Sequence, residues 1–168
     1  IMAVNWKKAE EYIKAGKGKK VPAKYVHNTW DEKTQTAKSE MKSEVLVLSA
    51  KELKDICYMI PCPKSPHGCD VDPTGEYIVG SGKLAALIPV FSFDKLQNAI
   101  KAKQFDGEYD GIPVVKYEAA LHGEVQKPGL GPLHTEFDGK GNAYTTFFVS
   151  SEVVKWDIKS LKVLDRVP

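Results

Sequence analysis

The chain has 168 residues, 42% hydrophobic and 27% charged, which are the proportions of an ordinary globular protein and exclude a disordered tail. Lys and Arg number 24 against 22 Asp and Glu, and a net charge of +2 is too balanced to point to nucleic acid or an anionic membrane as a partner. No apolar stretch approaches the ~20 residues of a membrane-spanning helix, and no basic segment followed by an apolar core marks an export signal, so neither is expected within this sequence.

In chain order, residues 3–8 predict a strand, and residues 8–15 a short helix or helical turn after it. The same pairing recurs at a strand over residues 90–95 and residues 95–102, with Ile13 and Ile100 in register. The run Lys17-Gly18-Lys19-Lys20 reads as a solvated loop. Residues 14–42 and 102–128, rich in Lys, Asp, Gly and Pro, read as long insertions, a length that in a compact domain marks functional loops or disorder. Further strands are predicted at residues 45–51, 77–80, 143–149 and 153–159. Two of them follow the turns Asp72-Pro73-Thr74-Gly75 and Asp138-Gly139-Lys140-Gly141, whose Asp and Gly supply the backbone freedom of hairpins. His27 and His122 fall in polar, loop-like contexts and are expected to face solvent.

Short strands repeating at some tens of residues, with a hairpin ending in Tyr and a closing Trp-Asp or Phe-Asp strand, predict an all-β fold built as a β-propeller. A sandwich would offer similar strands, but the repeated order of motifs disfavours it. The chain is expected to hold about two to three blades, with long loop insertions and short helical turns, so residues 1–168 form an incomplete propeller segment. A closed propeller typically takes ~4–8 blades.

Two histidines stand at matching places of the repeat. Pro66-His67-Gly68 leads to Tyr77 and Leu133-His134-Thr135 leads to Tyr144, and in both halves the Tyr stands ten positions after the His. The start of a blade's innermost strand faces the central channel, so histidines there from successive blades converge, as a multi-histidine metal site requires. Imidazole suits copper, zinc, iron or nickel better than calcium or magnesium. A lone His would read as a hydrogen-bonded structural residue, and the repeat is what favours ligands. Cys57, Cys62 and Cys69 match neither a zinc ribbon nor a paired disulfide framework. Cys62 and Cys69 flank His67, which raises a mixed Cys/His site for a soft ion. The competing reading, cysteines as small buried hydrophobes, is preferred.

The segments Pro63-Lys64-Ser65-Pro66-His67-Gly68, Gly80-Ser81-Gly82-Lys83-Leu84 and the long block from Gly129-Leu130-Gly131-Pro132-Leu133-His134-Thr135 through Tyr144-Thr145-Thr146 closely resemble nitrous oxide reductase, and Val154-Lys155-Trp156-Asp157-Ile158 extends the match. The resemblance covers residues 56–158 well and the first fifty only loosely. It implies a seven-bladed propeller whose hub carries CuZ, a copper–sulfide cluster held by seven histidines, with His67 and His134 on two of those positions. The other ligands, and the cupredoxin domain carrying the dinuclear CuA site, would lie outside this chain. Lys155 matches a lysine near the open edge of the cluster, where a cation could polarise bound substrate; the plainer reading is a surface lysine on a blade strand. The implied activity is two-electron reduction of nitrous oxide to dinitrogen and water in denitrification. The implied location is the periplasm, and the electron donor a cytochrome c or a cupredoxin; an incomplete propeller, with uncovered blade faces and open strand edges, is expected to form a homodimer or to self-associate. The alternative is a non-catalytic propeller scaffold or binding module, inactive as an isolated piece. Ser65 stands where the family often has an Asn beside a calcium site, Met41 and Glu44 are not assigned as calcium ligands, and the three cysteines take no part in the family's cluster chemistry.

Overall fold

The computed structural model describes residues 1–168. In chain order the elements are β1 (Met2–Val4), α1 (Trp6–Lys14), β2 (Lys19–Asp31), β3 (Thr36–Val47), β4 (Cys57–Met59), β5 (Pro66–Val71), β6 (Tyr77–Gly82), β7 (Leu87–Ser92) and α2 (Phe93–Lys101). They continue with β8 (Phe105–Tyr109), β9 (Ile112–Val115), α3 (Tyr117–Ala120), β10 (Leu121–Gln126), β11 (Pro132–Phe137), β12 (Asn142–Phe147), β13 (Glu152–Asp157) and β14 (Val163–Val167). The architecture is all-β, as the sequence predicts: three four-stranded sheets and one two-stranded ribbon. The chain forms two compact units, one of Ile1–Ala3 with Tyr58–Pro168 and one of Val4–Cys57.

In the larger unit, two sheets are complete four-stranded blades, ordered β10-β7-β6-β5 and β11-β12-β13-β14, antiparallel throughout. The third sheet, β1-β4-β9-β8, joins two different things. Strands β1 and β4 are neighbours, with a capped helix following the first of them, as β7 and β10 are. Strand β9 then pairs with β4 in parallel at Met59 and Val114.

The middle blade is apolar on both faces, which explains the unbroken runs Tyr77-Ile78-Val79 and Leu87-Ile88-Pro89-Val90-Phe91 where a one-sided strand would alternate. Val79, Ile88, Val90 and Val125 pack with Ala143, Val154, Trp156 and Ile158 of the following blade. Ile78 and Phe91 point the other way and pack with Tyr58, Ile60, Leu96 and Val115. Trp156 is fully buried and its indole N–H donates to Thr145 Oγ1 at 2.9 Å, while that hydroxyl also lies 2.8 Å from Thr135 Oγ1. Trp156→Ala should therefore cost about 3–5 kcal/mol in urea unfolding of the chain, whereas Trp156→Phe should cost markedly less, because most of the ring volume stays.

The expected helical turns are present, but the strands before them end early. Asn5 and Ser92 are N-caps, each side chain accepting the N–H three residues on, from Lys8 at 3.1 Å and Lys95 at 3.1 Å. These caps cut the predicted strands 3–8 and 90–95 at Val4 and Ser92. The two helices close alike: the N–H groups of Ala15 and Gly16 donate to the Glu11 and Ile13 carbonyls, and those of Ala102 and Lys103 donate to the Asn98 and Ile100 carbonyls.

The insertions are ordered, contrary to their reading as loops. Residues 14–42 contribute most of a long hairpin, β2 with β3, paired from Lys19 opposite Val47 to Asp31 opposite Thr36. Its turn is tied by Asp31, whose Oδ1 accepts the N–H of Lys33 at 3.0 Å and of Thr34 at 3.3 Å. Residues 102–128 hold the hairpin β8–β9, helix α3 and β10, the last being the fourth strand of the middle blade. Each insertion thus follows a capped helix, and the second ends by supplying its sheet's edge strand β10.

Candidate metal centre

His67 lies on β5 and His134 on β11, the first strands of successive blades. Their rings stand edge to face, with centroids 4.9 Å apart and planes at 73°. The sequence expectation that the repeat brings them together is met. Both side chains are exposed.

What brings the strands so close is Gly68. A Cβ there would stand 2.1 Å from the Leu133 carbonyl oxygen, so only glycine lets β5 approach β11 at this point. Asp70 then bridges the blades: its Oδ2 accepts the Thr135 N–H at 2.8 Å and its Oδ1 lies 3.5 Å from His134 Nδ1. A carboxylate beside Nδ1 is the kind of acidic neighbour that orients a metal-binding imidazole. Gly68 and Asp70 were not singled out from the sequence. Their roles depend on atoms of the next blade, and only their places beside His67 could have suggested them.

The hairpins that carry the histidines are held by their Asp residues. Asp72, buried, accepts from the N–H of Tyr77 at 2.8 Å and from Thr74 Oγ1 at 2.7 Å. Asp138 accepts from Asn142 Nδ2 at 2.6 Å and from the Lys140 N–H at 2.8 Å. The Asn142 amide, followed by the Lys140 and Asn142 backbone N–H groups, depresses the Asp138 carboxyl to about 2 against an ordinary 3.8. Its contribution to the turn is therefore complete above pH 3.8 and lost as pH falls through about 2.

The remaining candidates lie elsewhere. Lys155, on β13, faces Tyr144 across the ladder and holds its Nζ 5.7 Å from that ring, and β12 separates it from the strand of His134. No three His, Cys, Asp or Glu side chains gather as a set able to hold a metal ion, so Cys62, Cys69 and His67 do not form the mixed site. Burial raises all three thiols above their ordinary value, which disfavours the thiolate such a site needs. His27 is exposed, although on β2 and not in a loop. His122 departs from expectation: it is half-buried on β10, packed edge-on against Tyr77 at 4.9 Å, with Nε2 3.1 Å from the Lys159 carbonyl. Met41 is exposed on β3, and Glu44 is paired with Lys20.

No family model matches the chain. It is 39% identical over 122 residues to the nitrous-oxide reductase of Stutzerimonas stutzeri, a match covering 71% of this chain. The chain corresponds to a segment of nitrous-oxide reductase. The nitrous-oxide reductases of Pseudomonas fluorescens, 42% identical over 100 residues, and Ralstonia nicotianae, 40% over 99 residues, match 59% of it. The chain spans 14–17% of the length of these curated relatives.

Proposed function

We propose that this chain is an incomplete propeller segment of a copper-dependent nitrous-oxide reductase, in which His67 and His134 supply two of the imidazole ligands of the CuZ cluster. The observation that carries the reading is the meeting of two exposed imidazoles, 4.9 Å apart, from equivalent strands of successive blades. The donors fit: neutral imidazole is a copper ligand, and Asp70 stands where an acidic neighbour orients the ring of His134. When bound, the copper–sulfide cluster supplies the electrons for reducing nitrous oxide to dinitrogen and water. The chain's own part is to hold two rings in fixed orientation on hairpins locked by Asp72 and Asp138. The further histidines, the CuA domain and any calcium site belong to other parts of the protein, with a cytochrome c or cupredoxin as electron donor, the periplasm as location and a homodimer as assembly. The purified whole protein should consume nitrous oxide with a chemical reductant, and copper-loaded protein without that activity would contradict the reading.

In the same reading Lys155 is a positioning cation near the substrate end of the cluster. Lys155→Ala should leave copper content unchanged and lower turnover, because a charge acting on the reacting atoms does not assemble the ligand set. Unchanged turnover at every pH would make it a blade-surface lysine held against Tyr144. The alternative, a propeller scaffold that binds partners without catalysis, predicts a whole protein free of copper at His67 and His134.

A further inference from the structure

Cys62 and Cys69 are brought together by the glycine at position 80. In the pairing of β5 with β6, Cys69 stands directly opposite Gly80. Side chains of facing residues leave such a pair on the same side, with Cβ atoms ~4.5–5.5 Å apart. At Gly80 that space is not filled by the strand's own residue but is shared by the sulfur of Cys62 and Cδ1 of Ile1, each 3.1 Å from the point where a Cβ would stand. The segment carrying Cys62 runs along the same strand, since the carbonyl oxygens of Pro63 and Lys64 lie 2.9 and 2.8 Å from the corresponding point at Gly82. The two sulfurs therefore occupy one face of one strand pair, on either side of a notch that only glycine leaves open.

We infer that Cys62 and Cys69 form an intramolecular disulfide, closing a loop that contains His67. The bond forms by exchange with a small-molecule or protein disulfide. One cysteine thiolate attacks the oxidant's disulfide, giving a mixed disulfide and releasing one thiol. The second thiolate attacks the cysteine sulfur of that mixed disulfide and releases the other thiol. The two protons lost by the cysteines pass through solvent to the two sulfurs released from the oxidant, which takes the electron pair and leaves as two thiols. The consequence is a covalent tie between the crossover from β4 and the first strand of the middle blade, on both sides of His67. The tie stands on the register of Cys69 opposite Gly80 and on the packing of the Cys62 sulfur there, and is independent of the metal reading. All three thiols are free in this structure, and Cys57, on β4, takes no part in the proposed bond.

The sequence makes the bond easy to read. Trypsin cuts after Lys64, leaving Cys57 and Cys62 on peptide 55–64 and Cys69 alone on peptide 65–83. The full chain carrying Cys57→Ser is equilibrated with oxidised glutathione at mildly alkaline pH, its free thiols are alkylated, and the monomer band from a non-reducing gel is digested. Peptides 55–64 and 65–83 should then be recovered linked, at a mass two hydrogens below their sum, and separate after reduction. The wild-type chain under the same conditions should keep Cys57 alkylated, and Cys62→Ser should lose the link. Alkylation of both Cys62 and Cys69 in the oxidised Cys57→Ser monomer, or a wild-type bond through Cys57, would overturn the proposal.

Discussion

Replacing either His67 or His134 with Ala in the full-length protein should reduce nitrous oxide consumption to background and lower copper per protein, while the circular dichroism of the folded protein is unchanged. Both effects follow from position. The rings are exposed and stand outside the two apolar cores, so deleting them removes no buried packing. Asp70 keeps its backbone partner, the Thr135 N–H, when His134 is gone, so no buried carboxylate is left without a hydrogen bond. What is lost is a donor from each of two strands that only the blade geometry brings together. The two variants should resemble each other and the double variant, because a ligand set that acts as a unit does not lose function additively. Wild-type activity and copper content in either single variant would refute the assignment.

Gly68→Ala should do similar damage from the opposite direction. A methyl group 2.1 Å from the Leu133 carbonyl oxygen cannot be relieved by a side-chain rotation, because the obstacle is backbone. Strand β5 must move away from β11, and overpacking of this kind costs about 1–3 kcal/mol. The same movement separates the His67 and His134 rings and pulls Asp70 from Thr135. Urea unfolding should show the loss of stability, and copper binding in the full-length variant should fall although both histidines remain. A fully stable, fully loaded Gly68→Ala protein would show that the close approach of the two strands is not what holds the site.

The repeat was legible because it is carried by local chemistry: Asp-rich turns, a capped helix after β1 and after β7, and a histidine at a fixed spacing from a tyrosine. Such signals are written in neighbouring residues. The hairpin β2–β3 was not legible because its turn, residues 32–35, has no Gly, Pro or Asn, and Gln35 takes a positive φ of 53° instead. Its strands are exposed along nearly their whole length, so no alternation of buried and exposed positions betrays them. Strand β10 was hidden by similar means, a short run with His122 and Gly123 at its start and a register shift between Leu121 and Gly123. In the site, the histidines could be read because the repeat marks them twice. Gly68, Asp70 and Gly80 could not, since each is defined by an atom far along the chain: the Leu133 carbonyl, the Thr135 N–H and the Cys62 sulfur. The half-buried setting of His122 comes from Tyr77 and Lys159 in the same way.

The most direct measurement of the central claim is a crystal structure of the copper-loaded whole protein, with anomalous-scattering maps recorded on both sides of the copper absorption edge. One copper cluster should appear between the first strands of these two blades, with a ring nitrogen of His67 and a ring nitrogen of His134 each bonded to a copper ion. Copper bound elsewhere, with both of these rings unligated, would contradict the account.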